Sequence, residues 1–485
     1  MRRSWFDTWL KPVLTEAGAS VTAAPVYYDY QLYTETKPTS RSRFRAGVFG
    51  ADDRLELLSR DASDMDPVLS GNISFHTSFW RVFGTYENNF SDDVQLRSVT
   101  GAGKQVVEFG VGSLFFELTN YPVTNRTELS YRIGQRATLH TGIDMLWGRA
   151  DVNVLAPQPP VPGEPDPGPF AARPPLAFKN KLSVYRPAAY AELELTPYRR
   201  VKLVPGIRVD YAKDTREWDL SPRLNARYLL REGFPQTTLK GGIGLFHRPP
   251  EFQESYPPFG TPGLRSNRAT HYSLGFEQDI TRQIDVSVEG FYKKIDLLVT
   301  RAPNETGSYE YMNAGEGYVV GSELLLKYKP DERFFGWLAY TLSRSVERNM
   351  PDEAYRLTDF DQTHILTALG SYRLGRGWEF GARFRLVSGN PETPVVGSIY
   401  NANSGAYAAI TGDYNSTRVS MFHQLDLRVD KRWKFSAWQL STYLDVQNVY
   451  YSQNVEGYSY NYNYTQRDLI TGLPIIPSIG LRGDF

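Results

Sequence analysis

The chain contains 485 residues, in which 54 basic side chains are balanced by 54 acidic ones, and it has no cysteine. The lack of cysteine excludes a disulfide scaffold and a thiolate metal site, and the balanced charge gives no indication of a nucleic-acid partner. No apolar run reaches the roughly 18 residues of a membrane-spanning helix, although aromatic residues make up 14% of the chain.

Residues 1–20 start with two arginines but lack the uninterrupted apolar core of a signal peptide. From residue 21 onward the dominant pattern is an alternation of apolar and polar residues, which predicts β-strands. We predict nineteen strands, at 21–36, 42–52, 70–87, 91–109, 113–134, 136–154, 182–197, 200–213, 218–231, 235–248, 268–280, 282–303, 310–330, 332–349, 357–374, 376–391, 415–432, 434–450 and 473–485.

The alternation gives each predicted strand one apolar and one charged face, because successive side chains of a strand point to opposite sides. In LDLRVD (425–430) leucine and valine alternate with aspartate and arginine, and WEFGARFRL (378–386) follows the same rule. Most of the strands are also longer than those of soluble sheets. A soluble β-sandwich or propeller is the alternative, and strand length and number argue against it.

Short turns alternate with long connections, which we place at 53–69, 155–181, 249–267, 392–414 and 451–472. The segment 155–181 is rich in proline and cannot donate enough amides to join a sheet, so we predict an exposed loop there. The whole pattern predicts a single all-β domain over 1–485, a transmembrane antiparallel β-barrel of 19 to 20 strands. Its extracellular loops are long and its periplasmic turns are short.

No arrangement of residues predicts an enzyme. TGAGKQ (100–105) looks like a phosphate-binding loop but lacks the upstream glycine and the hydroxyl residue that such a loop requires, so we interpret it as a strand with a glycine kink. The six histidines lack metal-ligand spacing, and His364 and His423 are expected to pack near outer strand ends. Oxygen ligands for calcium are available at Asp359, Asp361, Asp413 and Asn415, but solvated loop residues are the preferred interpretation. We expect no metal and no cofactor.

The segments FDQTHILTALGSYRLGRGWEFGARFRLVSGNPETP (360–394), FHQLDLRVDKRW (422–433) and GLPIIPSIGLRGDF (472–485) resemble the barrel of TonB-dependent outer-membrane receptors. An earlier part of that barrel is similar to RRSWFDTWL (2–10) and PVYYDYQLYTETKP (25–38). The resemblance implies a signal peptide, a TonB-contacting segment, a plug and a 22-stranded barrel. We identify none of the first three before Arg2, and we expect about three strands to be absent.

This comparison with the family predicts an N-terminally truncated barrel. Nineteen strands would close by parallel pairing of 21–36 with 473–485, or would leave a slot with two unpaired edges. We expect instead that residues 3–11 supply a twentieth strand next to 473–485, because an even number of strands allows antiparallel closure. We also expect that the chain as written is not exported. Because lipid offers no partners to backbone amides, the last strand must close the wall. Phe485, in phase with Ile479 and Leu481, is the expected terminal signal for the barrel-assembly machinery.

Two sets of residues are candidates for ligand contact. An arginine on the lipid face costs about 2–4 kcal/mol near the midplane, so the charged residues of the strands are expected to face the lumen, where they contact a ligand or a plug. This set comprises Arg208, Glu379, Arg383, Arg385, Asp426, Arg428, Asp445 and Arg482, with Asp430 beside them. The second set consists of loop tyrosines that contact a ligand or pack the loops: Tyr400, Tyr407, Tyr414, Tyr458, Tyr460, Tyr462 and Tyr464.

The resemblance implies an outer-membrane transport protein that imports a ferric siderophore or a similar scarce nutrient. The residues themselves leave two alternatives open, a passive pore and an adhesion or structural protein that acts through its loops. The expected partners are outer-membrane lipid, the assembly machinery and a small ligand such as a metal chelate. TonB is expected only if the missing N-terminal region is present, and no nucleic acid is expected.

Overall fold

The computed structural model describes residues 2–3, 21–23, 26–59, 71–157, 175–303, 309–402 and 406–484. Within them the chain is almost entirely β-structure, with one short helix, α1 (Phe252–Ser255). This helix is too short to span a membrane, and the described residues contain no helix that could do so.

The strands of the N-terminal half are β1 (Arg2–Arg3), β2 (Val21–Ala23), β3 (Val26–Thr39), β4 (Ser42–Ser59), β5 (Gly71–Asn89), β6 (Val94–Val111), β7 (Leu114–Ile133), β8 (Ala137–Ala156), β9 (Leu176–Tyr198), β10 (Val201–Ala212), β11 (Glu217–Arg231) and β12 (Thr237–Arg248). Those of the C-terminal half are β13 (Asn267–Asp279), β14 (Ile284–Pro303), β15 (Tyr309–Tyr328), β16 (Phe334–Arg348), β17 (Arg356–Leu357), β18 (His364–Gly375), β19 (Trp378–Val387), β20 (Pro391–Glu392), β21 (Val395–Asn401), β22 (Ala406–Thr411), β23 (Thr417–Arg418), β24 (Phe422–Lys434), β25 (Gln439–Gln447), β26 (Val455–Tyr460), β27 (Arg467–Thr471) and β28 (Ile476–Asp484).

In the described part of the chain, one antiparallel sheet of 22 strands forms the wall. Strands β3 to β16 pair in chain order, and the sheet continues through β18, β19, β24 and β25 to β28. The short strands β1, β2 and β17 pair with β3, β4 and β16. The other nineteen strands correspond one to one with the nineteen predicted from the alternation, so the predicted fold class is confirmed.

The connections differ in length between the two ends of the wall. At one end of the wall the turns have two to five residues, as at 199–200 between β9 and β10 and at 329–333 between β15 and β16. At the other end the chain makes long excursions at most positions, as predicted, and those after β19 and β25 carry small sheets of their own, β20–β23, β21–β22 and β26–β27. Strict alternation is wrong, because the connections between β6 and β7, between β10 and β11 and between β14 and β15 at this end have only two to five residues. These long excursions are called the outer loops below.

Several strand boundaries differ from the prediction. Strand β4 extends to Ser59 and β9 already begins at Leu176, where long loops were predicted. In contrast, β24 begins only at Phe422, because Thr417 and Arg418 pair with Glu392 and Pro391 inside an outer loop and not with the wall. The alternation therefore predicts where strands exist, but it does not identify the partner that a short extended segment chooses.

The register defines two faces of the wall, because directly paired residues lie on the same side of a sheet. Arg383 is paired with Asp426, and Arg428 with Asp445. On this charged face the Tyr190 hydroxyl donates to Glu128 on a strand two positions away, at 2.6 Å, as expected where a curved sheet is concave. The other face carries exposed apolar residues and is convex, as in Ile479 and Leu481, which are 78% and 74% exposed. Two stacked sheets with a dry interior are therefore excluded.

The polarity of the two faces inverts near the outer end of β8. Lower in the strand, Ile143, Met145 and Trp147 are exposed on the apolar face. Higher up, the same face continues with polar residues at 149, 151 and 153, whereas Val152 and Val154 on the opposite face are buried. The strand thus extends past the apolar band that lipid would cover, and its outward face there becomes suited to water.

The expected closure through residues 3–11 falls mainly outside the described residues. Arg2 and Arg3 do lie antiparallel to β3, opposite Asp29 and Tyr28. In the part of the chain that the structure describes, β28 is paired with β25, and no ladder of paired residues joins it to β1 or β3. Phe485 also lies outside the described residues.

Candidate functional site

Asp426 is the centre of an ion-pair network on the charged face of β19, β24 and β25. Its carboxylate accepts hydrogen bonds from Arg383 Nε at 2.8 Å and Nη2 at 2.6 Å. It also accepts hydrogen bonds from the Gln424 side chain at 2.6 Å and the Asn448 backbone at 3.0 Å. With so many donors, this nearly buried carboxylate remains charged without an added cation.

Arg428 extends the network along the same face. Its guanidinium donates to Asp430 at 2.7 and 2.8 Å, lies 3.8 Å from Asp445, and stacks over the Tyr443 ring at 4.0 Å. Arg383, Asp426, Arg428 and Asp445 together line a cavity of about 410 Å³. Glu379 lines the same cavity, so the structure brings together five of the eight strand residues that the sequence singled out.

Three strand candidates, Glu379 among them, lie at the edge of the ion-pair network. Arg385 donates to Gln424 at 2.9 Å, and Glu379 accepts from Ser371 at 2.7 Å. Arg482 shares the face, but its ion-pair partner among the described residues is Asp484, at 2.8 Å, and its side chain is 78% exposed. These three residues border the network and do not form its centre.

Arg208 belongs to a second network that sequence reasoning largely missed. It donates to Asp210 at 3.0 Å and to Asp144 at 3.4 Å. Asp144 is also approached by Arg126, which in turn contacts Tyr190. The strand register places all of these residues on the same face of the wall as Arg208. The sequence signal that could have found them is the same alternation of polar and apolar residues, applied to each neighbouring strand in turn.

Two small hairpins in the outer loops pack on each other through tyrosines. Tyr400 and Tyr407 face each other across β21 and β22 with ring centroids 5.2 Å apart, and Tyr407 lies 5.6 Å from Tyr462 near the tip of the second hairpin. The Ser398 hydroxyl also donates to the backbone carbonyl of Asn463 at 2.7 Å. The two hairpins therefore form one unit, called the tyrosine knob here.

Other predicted tyrosines lie beside this knob. Tyr460 and Tyr464 are 5.9 Å apart, and Arg467 stacks over Tyr458 at 4.0 Å. Burial raises the pKa of Glu392, and this rise is opposed by the nearby Arg467. The tyrosine knob and the residues beside it thus combine several aromatic rings with the guanidinium of Arg467, which stacks on one of these rings.

Tyr414 differs from the other tyrosines because it is part of the internal packing of the loops. Its hydroxyl donates to Asp359 at 2.5 Å, and Arg356 lies over its ring at 5.0 Å. Burial and the Asp359 carboxylate raise the pKa of Tyr414. Asn415 holds the same carboxylate at 2.8 Å. Tyr414 therefore joins two outer loops and is not presented to a ligand.

The interpretation of the calcium candidates as solvated loop residues is wrong for Asp361 and Asn415, which are buried and bonded to other side chains or backbone groups. Asp361 is 1% exposed and its carboxylate is bound by Arg418, while Asp359 is held by Tyr414 and Asn415. Among the described residues there is no group of three or more potential metal ligands. His364 and His423 are hydrogen-bonded to Tyr340 and Tyr450, at 2.7 and 2.9 Å. TGAGKQ lies within β6.

A wall of long antiparallel strands, charged inside and apolar outside, with structured loops at one end, is characteristic of outer-membrane β-barrel proteins. The family is established by comparison of the sequence with family models. The model of the TonB dependent receptor-like β-barrel matches residues 13–449. The chain therefore belongs to the TonB-dependent receptor-like β-barrel family, and its location is the outer membrane.

Solved structures show the same fold at low sequence identity. The outer membrane transporter YddB from Escherichia coli is 11% identical, with a TM-score of 0.69 over 95% of this chain and 69% of that chain. The ferric-catecholate import receptor Fiu from E. coli K12 is 14% identical, with a TM-score of 0.68 over 95% and 75%. A mutant of the ferric enterobactin receptor PfeA from Pseudomonas aeruginosa is 15% identical, with a TM-score of 0.70 over 95% and 70%. Comparison with curated proteins gives no match.

Proposed function

We propose that this chain forms the wall of a receptor that imports a metal chelate, such as a ferric siderophore, across the outer membrane. The observation that carries the proposal is the tyrosine knob, which places several rings and Arg467 together among the outer loops of a TonB-dependent receptor-like barrel. Flat rings with polar edges suit contact with an aromatic, anionic chelate. Two of the similar structures are of receptors named for ferric catecholate or ferric enterobactin.

The networks around Asp426 and Arg208 have a second role in this proposal. Charged side chains on the inner face form either the lower part of the ligand path or the surface that holds a plug. TonB would supply energy through such a plug. The apolar outer face would contact lipid, and the C-terminal strand with Phe485 would be recognised by the barrel-assembly machinery. A passive pore and a loop-mediated adhesin are the competing functions.

Equilibrium dialysis tests ligand binding directly. The full chain is refolded into lipid nanodiscs and exposed to ⁵⁵Fe-enterobactin, with a ferric hydroxamate as the matched chelate of different chemistry. We expect saturable binding of one chelate, and a loss of at least about fivefold in affinity in Tyr407→Ala and Tyr462→Ala, since stacking contributes about 1–3 kcal/mol.

Tyr198→Ala is the control, because Tyr198 is an exposed tyrosine at the opposite end of the wall. It should bind like the unmodified chain. No saturable binding of either chelate, together with a large steady conductance in planar bilayers, would replace the receptor proposal by the pore. Silent bilayers and no chelate binding would favour the adhesin.

A further inference from the structure

The inner surface of the wall is unexpectedly apolar above the level at which polarity inverts. On β8 Val152 and Val154 are 3% and 7% exposed, and Phe109 and Phe116 continue the same face on β6 and β7. Outward neighbours at this height include the polar residues Asn153, Glu117 and Lys179. A water-filled interior gives no reason to place apolar side chains here, so this face is built to be covered.

Part of the cover is the outer loop that contains α1. Phe252 and Phe259 of this loop approach Phe178 of β9, with ring centroids 5.8 and 5.2 Å apart. The helix is fixed by a capping box, in which Glu251 and Glu254 bond to each other's backbone. The loop does not fill the space beneath it. Between α1 and β6 to β9 remains a cavity of about 570 Å³.

One end of this cavity is polar. Arg186 of β9 lies there and donates to Asp214 at 2.5 Å, so the charges of the two groups compensate each other. The Nε atom of Arg186 is buried, and no acceptor for it is present among the described residues. A buried donor without a partner is costly, and an acceptor atom supplied from within the cavity would remove that cost.

We propose that this cavity binds a small neutral molecule with an aromatic or short acyl body and a hydrogen-bond acceptor at one end. The body occupies the space between Phe116, Val152 and Phe252, and the acceptor bonds to Nε of Arg186. The volume falls within the range of small-molecule sites, which are largely apolar with a few polar groups. The ligand is neutral because Asp214 already balances the arginine. This site does not rest on the proposed import of a metal chelate.

The absence of cysteine permits a direct test, since Val152→Cys introduces the only thiol. The full chain in lipid nanodiscs is treated with methyl methanethiosulfonate, and the rate of modification is measured with 2-acetylnaphthalene or 2-ethylnaphthalene present. These probes share a ring and differ in the carbonyl. We expect 2-acetylnaphthalene to protect the thiol at about tenfold lower concentration, because a hydrogen bond to a charged donor is worth about 1.5–3 kcal/mol.

Asn153→Cys is the matched control, because it lies one residue away on the opposite face, and neither probe should change the rate at which its thiol is modified.

Arg186→Lys in the Val152→Cys background keeps the charge opposite Asp214 but removes Nε, so the two probes should protect the thiol equally. Filling the cavity with Ala150→Phe should abolish protection. Gel migration with and without heating identifies variants that fail to fold. Equal protection by the two probes with Arg186 intact, or protection by neither, would overturn the proposal.

Discussion

The Arg418 side chain binds both the backbone carbonyl and the carboxylate of Asp361. This contact joins the outer loop before β18 to the outer loop before β24. One guanidinium nitrogen donates to the Asp361 backbone carbonyl at 2.6 Å and the other to its carboxylate. The carboxylate also accepts from the Ser345 backbone at 2.6 Å. This buried ion pair therefore connects the same two loops that Tyr414 and Asn415 join through Asp359.

Replacing Arg418 should release this connection. Arg418→Met leaves the Asp361 carboxylate buried and unpaired, which costs about 3–5 kcal/mol. Local opening should become at least a hundredfold more frequent. Hydrogen exchange of the amides at 358–363 and 417–419 measures it.

Arg482→Met is the control for this experiment. Its ion pair with Asp484 is exposed, and such pairs contribute about 0–1 kcal/mol. Exchange in the outer loops should not change. If Arg418→Met leaves the loop amides as protected as before, the ion pair does not hold the loops together.

Asp426 should be essential for the stability of the wall between β19 and β25. Asp426→Ala removes the acceptor of Arg383, Gln424 and the Asn448 amide at once. We expect a loss of about 2–4 kcal/mol in the free energy of unfolding, measured by urea titration in lipid vesicles. Asp430→Ala removes one partner of Arg428 at a less buried position and should cost less than half as much. Equal losses in the two variants would contradict the central position of Asp426.

A side chain at Gly480 should destabilise the wall. A Cβ atom at this position would lie 2.1 Å from the Tyr443 ring, which stacks under Arg428. Gly480→Ala must therefore displace the ring, at a cost of about 1–3 kcal/mol. Gly457→Ala in β26 is the control, since its nearest neighbour is 3.9 Å away. The same urea titration compares them, and an unchanged midpoint in Gly480→Ala would show that the ring moves freely.

The packing of α1 should strengthen as the pH falls. Burial raises the pKa of Glu254, and its hydrogen bond from the Glu251 amide opposes this rise only in part. The folded loop therefore takes up a proton more readily than the unfolded loop, which has the ordinary value of about 4.5. Stability should increase as the pH falls through the raised pKa and become constant below the ordinary value.

Hydrogen exchange of the Tyr256, Gly260 and Thr261 amides, corrected for the intrinsic rate, measures this dependence, because all three are bonded within the loop. Glu254→Gln keeps an acceptor for the Glu251 amide but cannot titrate. Its protection should not vary with pH. A pH dependence that survives in Glu254→Gln would assign the effect to another group.

Alternation by itself determined that this chain forms a long-stranded wall with a charged and an apolar face. Residues 425–430 are an example. Successive side chains of a strand point to opposite faces, so Leu427 and Arg428 must lie on opposite faces of the wall. The same local rule places Arg383, Asp426, Arg428 and Asp445 on one face. It could not show that Asp426 is the hub, because that depends on which strands are neighbours.

The tertiary structure alone decided the roles of the loops and of the outer strand ends. Nothing local distinguishes Tyr414, locked against Asp359, from Tyr407, which contacts Tyr462, because their partners lie some 55 residues away in each case. The buried valines of β8 likewise show the same alternation as the lipid-facing band below them. Each face of β8 meets lipid, water or another loop according to the position along the strand at which it leaves the membrane. The period of two is the same above and below that position, so the sequence pattern does not reveal it.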